Sequence, residues 1–284
     1  MSRGTPGEGD FYLTADSLER ICDYLYRRTG MIFGEKKRYY IERRVADRMK
    51  ANGTHSFTFY YGVLRSDPAE GEALINAFTV NETYFYREEH QLACLTAQLL
   101  PELIKTRIPG DKIRIWSNPC STGEEPYSIA IWLLENWRLV DAYNIEIVGS
   151  DIDTAALAEA EAGRYGERAL SRLPPAVVEG YFEAITHRRR RLIQDLRESV
   201  LLSPANLIDK ETLRAQGRFD VVFCRNLLIY FDDAARQTAA ANLFDALEPG
   251  GFLCLGHTES MSRISDAFVL RRFPEAIVYQ RPTG

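Results

Sequence analysis

The sequence predicts an α/β protein: a doubly wound, mostly parallel sheet that closes with an antiparallel hairpin and is preceded by a small all-helical domain. Three observations carry this. After Pro109, Gly110 and Asp111, apolar runs of strand length alternate with helical segments, and such alternation builds parallel strands joined by right-handed crossovers. Before that point, apolar residues recur at the 3.6-residue spacing of amphipathic helices. At the end, two strand-like runs in FVLRRFPEAIVYQR meet around Pro274, the pattern of a hairpin rather than a crossover.

Residues 1–10 are expected to be a flexible start and residues 11–80 a helical bundle. In the first helix Leu18, Ile21, Cys22 and Leu25 fall at i, i+3, i+4 and i+7, with Asp16 as N-cap, Glu19 three residues on and Gly30 as the stop. Ile41, Val45 and Met49 line one face of a second helix starting near Lys37. Phe57, Tyr61 and Leu64 mark a third, and Leu74, Ile75 and Phe78 a fourth. The strands that follow are KIRIWS, NIEIVGSD, SVLLSPANL, FDVVFCRN and GGFLCLGH.

With 284 residues, 45% hydrophobic and 26% charged, the chain can bury a substantial core. Its net charge of -5 argues against a protein that coats nucleic acid. MSRGTPGEGD has no apolar stretch of signal-peptide type, and no segment reaches the ~18 apolar residues of a spanning helix, so a cytoplasmic protein without membrane insertion is expected. Five scattered cysteines without a C-x-x-C pair, and four scattered histidines, predict reduced thiols and no metal site.

Ligands of such sheets bind beyond the carboxyl ends of the strands, where the loop NPCSTGEEP (118–126) falls. Its single glycine fits neither G-x-G-x-x-G nor a phosphate-binding P-loop, and Glu124 and Glu125 suit a cationic ligand better than a pyrophosphate. Two readings stand side by side: a ligand loop, or a capping box between Ser121 and Glu124 or Thr122 and Glu125. Likewise Asp151 is placed to hold ribose hydroxyls, while Asp153 is equally an N-cap for the next helix.

Five ordered segments, NETYFYRE (81–88), WSNPCSTGEEPYS (116–128), SDID (150–153), FCRNLLIYFD (223–232) and GGFLCLGHTES (251–260), resemble the CheR chemotaxis-receptor methyltransferases over nearly the whole chain. The resemblance implies an S-adenosylmethionine-dependent (SAM-dependent) methyltransferase domain over 81–284 with an antiparallel subdomain inserted near 180–200. It further implies methyl transfer to glutamate carboxylates on the cytoplasmic methylation helices of membrane chemoreceptors. The products implied are glutamyl methyl esters and S-adenosylhomocysteine (SAH), in the service of adaptation in chemotaxis; the chain is expected to be a monomer. Asn81, Thr83, Arg87, a carboxylate of Glu124 and Glu125, Asp151, Asn206, Leu207, Arg225 and Asn226 look like SAM contacts. Asp151 would hold the ribose and Asn206 would lie near the adenine. Arg87 and Tyr230 resemble the residues beside the transferred methyl; from the residues alone, Tyr230 reads as an aromatic in a buried strand.

In this family the helical domain meets the receptor through a positive face, for which Lys37, Arg44 and Arg48 are the candidates, since they can share an outer face of the second helix. Members that tether to a receptor pentapeptide carry a glycine-containing loop in the inserted subdomain. THRRRRLIQD has none, so tethering is not expected. Pro119 stands where relatives often have a small residue, which removes one backbone donor from the loop. A non-catalytic SAM-binding receptor adaptor is the competing reading.

Overall fold

The computed structural model describes residues 11–283 and forms two compact units, Met1–Thr79 and Val80–Gly284. The expected flexible stretch 1–10 lies outside the described residues.

The first unit holds α1 (Ala15–Thr29), α2 (Arg38–Ala51), α3 (Phe57–Ser66) and α4 (Pro68–Phe78). Its core joins Leu18, Ile21, Leu25, Ile41, Val45, Met49, Tyr60, Leu64, Leu74 and Phe78; of the other residues expected on inner faces, Cys22, Phe57 and Tyr61 are only partly buried against it, so in α3 Tyr60 and Leu64 take the inner face. The start of α1 corrects the sequence expectation: Thr14 is the N-cap, accepting from the Ser17 amide, and Asp16 sits inside the first turn, where its charge favours the helix N-terminus. Gly30 ends α1 in the left-handed conformation as expected.

α2 also corrects an expectation. Ile41, Val45 and Met49 do point inward, but Arg44 and Arg48 do not share an outer face with Lys37. Arg48 donates to both carboxylate oxygens of Glu70, and Glu70, itself buried, also accepts from Tyr60 Oη at 2.7 Å and Asn52 Nδ2 at 2.7 Å. Arg44 lies 3.4 Å over the Tyr40 ring and donates to the Ala77 carbonyl. A buried carboxylate on α4 needs a paired cation, and Arg48 of α2 supplies it.

The second unit opens with α5 (Glu89–Cys94) and α6 (Leu100–Leu103). There follow β1 (Lys112–Ser117), α7 (Glu124–Asn136), β2 (Asn144–Asp151), α8 (Thr154–Ala162), β3 (Arg164–Gly166), α9 (Glu167–Leu170) and α10 (Pro175–Tyr181). The chain continues through β4 (Phe182–Thr186), β5 (Arg189–Leu192), α11 (Gln194–Glu198), β6 (Val200–Pro204), α12 (Lys210–Arg214) and β7 (Phe219–Cys224). It ends with α13 (Asp233–Ala246), β8 (Leu247–Leu255), β9 (Val269–Arg272) and β10 (Ile277–Gln280).

Seven strands form one sheet in the order β6-β2-β1-β7-β8-β10-β9; the first five are parallel, and β10 runs antiparallel to both neighbours. Strands covered on both faces read as apolar runs, as in Val221–Cys224; the buried Asp220 just before it is paired with Arg107. The hairpin expected around Pro274 is β9–β10. A second, antiparallel sheet, β3-β5-β4, contains the segment expected near 180–200 and adds β3 to it.

The chain leaves β1 for β2 and β6 on one side, then returns to β7 on the other. Ser117 pairs with Gly149 on β2 and Phe223 on β7, so the loops after β1, β2 and β7 leave the same end of three adjacent strands. That reversal of direction opens a crevice at the carboxyl ends.

Candidate functional site

The loop between β1 and α7 is shaped by two left-handed residues, Ser121 at φ 50° and Gly123 at φ 91°. At Gly123 a Cβ would come within 2.8 Å of both the Ala160 Cβ and the Tyr127 ring, so this turn requires glycine. The Tyr165 hydroxyl donates to the Thr122 carbonyl at 2.9 Å and pins the loop from the inserted sheet. Neither capping box forms. Gly123 is the N-cap of α7 with no side-chain bond, Thr122 Oγ1 donates to Glu124 at 2.6 Å, and Ser121 turns outward to Asn81 Oδ1 at 2.9 Å.

The two adjacent acids take different roles. Glu124 is buried beneath the loop, and desolvation raises its pKa against the opposing Thr122 hydrogen bond. Glu125 accepts from Ser117 Oγ at 2.8 Å and from Arg225 Nε at 2.5 Å, which ties the end of β1 to the loop after β7. Arg225 then donates to the Arg87 carbonyl at 2.7 Å and stands 3.7 Å from Glu88. The Arg87 guanidinium itself donates to the Glu82 carbonyl at 2.6 Å.

Asp151 ends β2 almost wholly buried, with Oδ2 accepting from the Ser121 amide at 2.7 Å and Oδ1 from the Asp153 amide at 2.9 Å. Burial outweighs those two amides and raises its pKa to about 6. Asp153 is the N-cap of α8 and also accepts from Asn81 Nδ2 at 2.7 Å. Residues 205–207 run beside this end, because the Ala205 amide donates to the Asp151 carbonyl at 3.0 Å.

A cavity at the strand ends is lined by Thr83, Arg87, Glu125, Arg225, Asn226 and Tyr230, together with Ser121 and Pro119. Tyr230 does not lie in a buried strand: it closes the short helical turn Leu228–Tyr230 and faces this cavity. Asn81 and Asp151 reach the same place through Ser121. Glu124, Asn206 and Leu207 do not line the cavity. Glu124 is turned to Thr122, Asn206 Oδ1 closes a local turn on the Ile208 amide at 3.2 Å, and Leu207 is buried with its carbonyl on Asn242.

One residue of the site escaped the reading of single positions. Glu259 accepts from the amides of Asn226 at 2.7 Å, Leu228 at 2.7 Å and Gly256 at 2.9 Å, and burial raises its pKa. It thereby holds Asn226 left-handed at φ 61° and fixes the turn that carries Tyr230. Glu259 lies within GGFLCLGHTES, but nothing in that string says that two of its partners are amides 33 and 31 residues earlier. Among the described residues no cluster of histidine, cysteine or acid side chains could hold a metal ion.

A family model described as CheR methyltransferase, SAM binding domain, matches residues 81–277, and one described as CheR methyltransferase, all-alpha domain, matches residues 16–79. Chemotaxis protein methyltransferase 2 of Vibrio cholerae is 43% identical over 275 residues, covering 96% of this chain and 95% of that protein. The chemotaxis protein methyltransferase of Klebsiella aerogenes is 39% identical over 259 residues (89% and 86%). That of Escherichia coli is 34% identical over 259 residues (89% and 87%).

Proposed function

The chain belongs to the CheR methyltransferase family, and from that premise we propose that it transfers a methyl group from SAM to glutamate side chains on the cytoplasmic methylation helices of chemoreceptors. The products are glutamyl methyl esters and SAH. The single observation that carries the reading is the convergence of Arg87, Asn226 and Tyr230 on a cavity whose wall includes the Glu125–Arg225 pair.

The residues present fit the donor. A nucleoside with a sulfonium and an ammonium group carries hydroxyl and N–H donors with positive charge, and this crevice offers carboxylates: Asp151 beside residues 205–207, and Glu125 on the cavity wall. In this reading Asp151 takes the ribose hydroxyls, Asn206 flanks the adenine, and Asn81, Thr83, Arg225 and Asn226 line the remainder. When bound, the donor supplies an electrophilic methyl carbon and a neutral thioether leaving group.

The protein's own groups have modest work to do. A glutamate of pKa about 4.3 is already an anion at neutral pH, so no strong base is needed. Cation and anion combine to neutral products, and a closed, preorganised pocket favours that loss of charge over solvated ions. Arg87 aligns the acceptor carboxylate through its paired N–H donors, and the Tyr230 hydroxyl fixes the remaining angle. Arg225 holds the frame by bonding Glu125 and the Arg87 carbonyl together.

Docking on the helical unit is part of the same reading, through the exposed Lys37 rather than the engaged Arg48. It makes transfer weaken with ionic strength. The β4–β5 connection is only His187 and Arg188, which supports transfer without pentapeptide tethering. A titration showing micromolar binding of a receptor C-terminal pentapeptide would overturn that part.

The test is a transfer assay with methyl-labelled SAM and membranes bearing chemoreceptors from the same source, followed by alkali to release methyl esters as methanol. Base-labile label on a receptor band is expected. Alkali-stable label, or none on any receptor while SAH binds, would refute glutamyl ester formation and favour an adaptor.

A further inference from the structure

Next to the catalytic cavity lies a second one of about 390 Å³ that the methyl-donor reading leaves without a role. The two share Ile229: the turn Leu228–Tyr230 is the partition between them, with Tyr230 on the donor side and Leu228 on the other. Ile229 stands 46% exposed at the crest, where a partner passing over both cavities would meet it. Beyond the crest the wall combines an apolar patch, Leu228 and Ile264, with two guanidinium groups, Arg236 and Arg263.

The charges on this wall are not equivalent. Glu259 spends both carboxylate oxygens on backbone amides, and Asp233 is bridged by Arg236 at 3.3 Å. Arg236 also donates Nε to the Leu228 carbonyl at 3.0 Å, which braces the partition. Arg263 is exposed and enters no ion pair among the described residues. The cavity therefore presents a mixed wall, Ile229 and Ile264 beside Gln237, Thr258 and Ser260, with the unpaired Arg263 at its rim and Tyr230 on the other side of Ile229.

We propose that this cavity is the acceptor-side subsite that selects the sequence around the target glutamate: it takes an acidic side chain one helical turn from that glutamate, with Ile229 packing against the helix between them. The proposal rests on the acceptor being a receptor helix, as argued above. On a helix, residues three or four apart stand about 5–6 Å from each other on one face. An acceptor helix that delivers one carboxylate to Arg87 and Tyr230 thus lays the next acid across the crest, toward Arg263. Charge complementarity chooses an acid over a lysine there, and Ile229 and Ile264 can pack on its methylene stem.

The experiment uses the full chain, SAH, and a fluorescent cytoplasmic receptor fragment carrying one methylatable glutamate, with binding read by anisotropy and transfer by base-labile label. Arg263→Glu should raise the fragment's Kd and KM about five- to tenfold, leaving kcat and SAH affinity as in the parent. Replacing the fragment's acid one turn from the target with lysine should weaken binding to the parent and restore it to Arg263→Glu. Fragment affinity within about twofold of the parent for both Arg263→Glu and Arg263→Ala, or absence of any restoration by the lysine swap, overturns the subsite. Loss of SAH binding in Arg263→Ala would also overturn it, because the cavity would then belong to the donor pocket. If the parent binds the fragment but never gives base-labile label, the methyl-ester reading fails, and the binding arms still decide the subsite.

Discussion

Replacing Glu259 with glutamine tests whether a single carboxylate holds the Leu228–Tyr230 turn at the cavity. The side chain keeps its size, but an amide has one acceptor oxygen where the carboxylate has two. Glu259 Oε2 serves Asn226 and Gly256, and Oε1 serves Leu228, so either orientation of the substituted amide sets an NH₂ group against at least one backbone N–H. Leaving one such buried donor unpaired costs about 1–3 kcal/mol. For a domain of this size each kcal/mol is about 2–4 °C in Tm, so a loss of roughly 2–12 °C is expected. Asn226 would no longer be held left-handed, and Tyr230 would shift; a displacement near 1 Å costs transfer about a hundredfold. Thermal unfolding and the labelled-methyl assay, run beside Glu159→Gln as a control at an exposed position, measure both effects. A Glu259→Gln protein with Tm within about 1 °C and a transfer rate within about twofold of the parent would show that the turn stands without the carboxylate, and the reasoning would be wrong.

Arg87→Ala and Tyr230→Phe should each lower kcat by about a hundredfold while SAH affinity by calorimetry changes by less than about threefold, since both residues are assigned to the acceptor carboxylate; equal losses in both would move them to donor binding. Asp151 has its pKa raised from 3.8 to about 6, so its contribution to the stability of the ligand-free protein is fully present below pH 3.8 and is lost as pH rises through about 6. Ribose hydroxyls bond best to the ionised form, so the stabilisation by SAH should grow between about pH 5 and 7, by up to about tenfold in affinity per pH unit. Asp151→Asn should flatten that dependence in a calorimetric series. Arg48→Ala should destabilise the helical unit by about 3 kcal/mol by leaving buried Glu70 without its cation; denaturant unfolding decides, and a stable variant with weakened receptor binding alone would return Arg48 to the docking face.

What the sequence determined by itself is the architecture and the address of the site. Period-3.6 spacing around Ile21, Ile41 and Leu74, and apolar runs such as Val221–Cys224, are local consequences of which faces must be buried, so most elements and core positions were legible, while Tyr60 of α3 and strand β3 were not. Resemblance to the CheR family grouped Arg87, Glu125, Asn226 and Tyr230 before any distance was known, and these four line one cavity. Tertiary structure alone decided how polar side chains pair, because partners are chosen by proximity across the fold and not by spacing along it. Helical geometry allowed Arg48 an outward face, yet buried Glu70, 22 residues away, claimed it. Capping-box spacing was present at Ser121 and Glu124, yet the left-handed Ser121 turned to Asn81, 40 residues earlier. Glu259 shows the same limit from the other side: three amides from two loops converge on it only once β7 and β8 lie side by side.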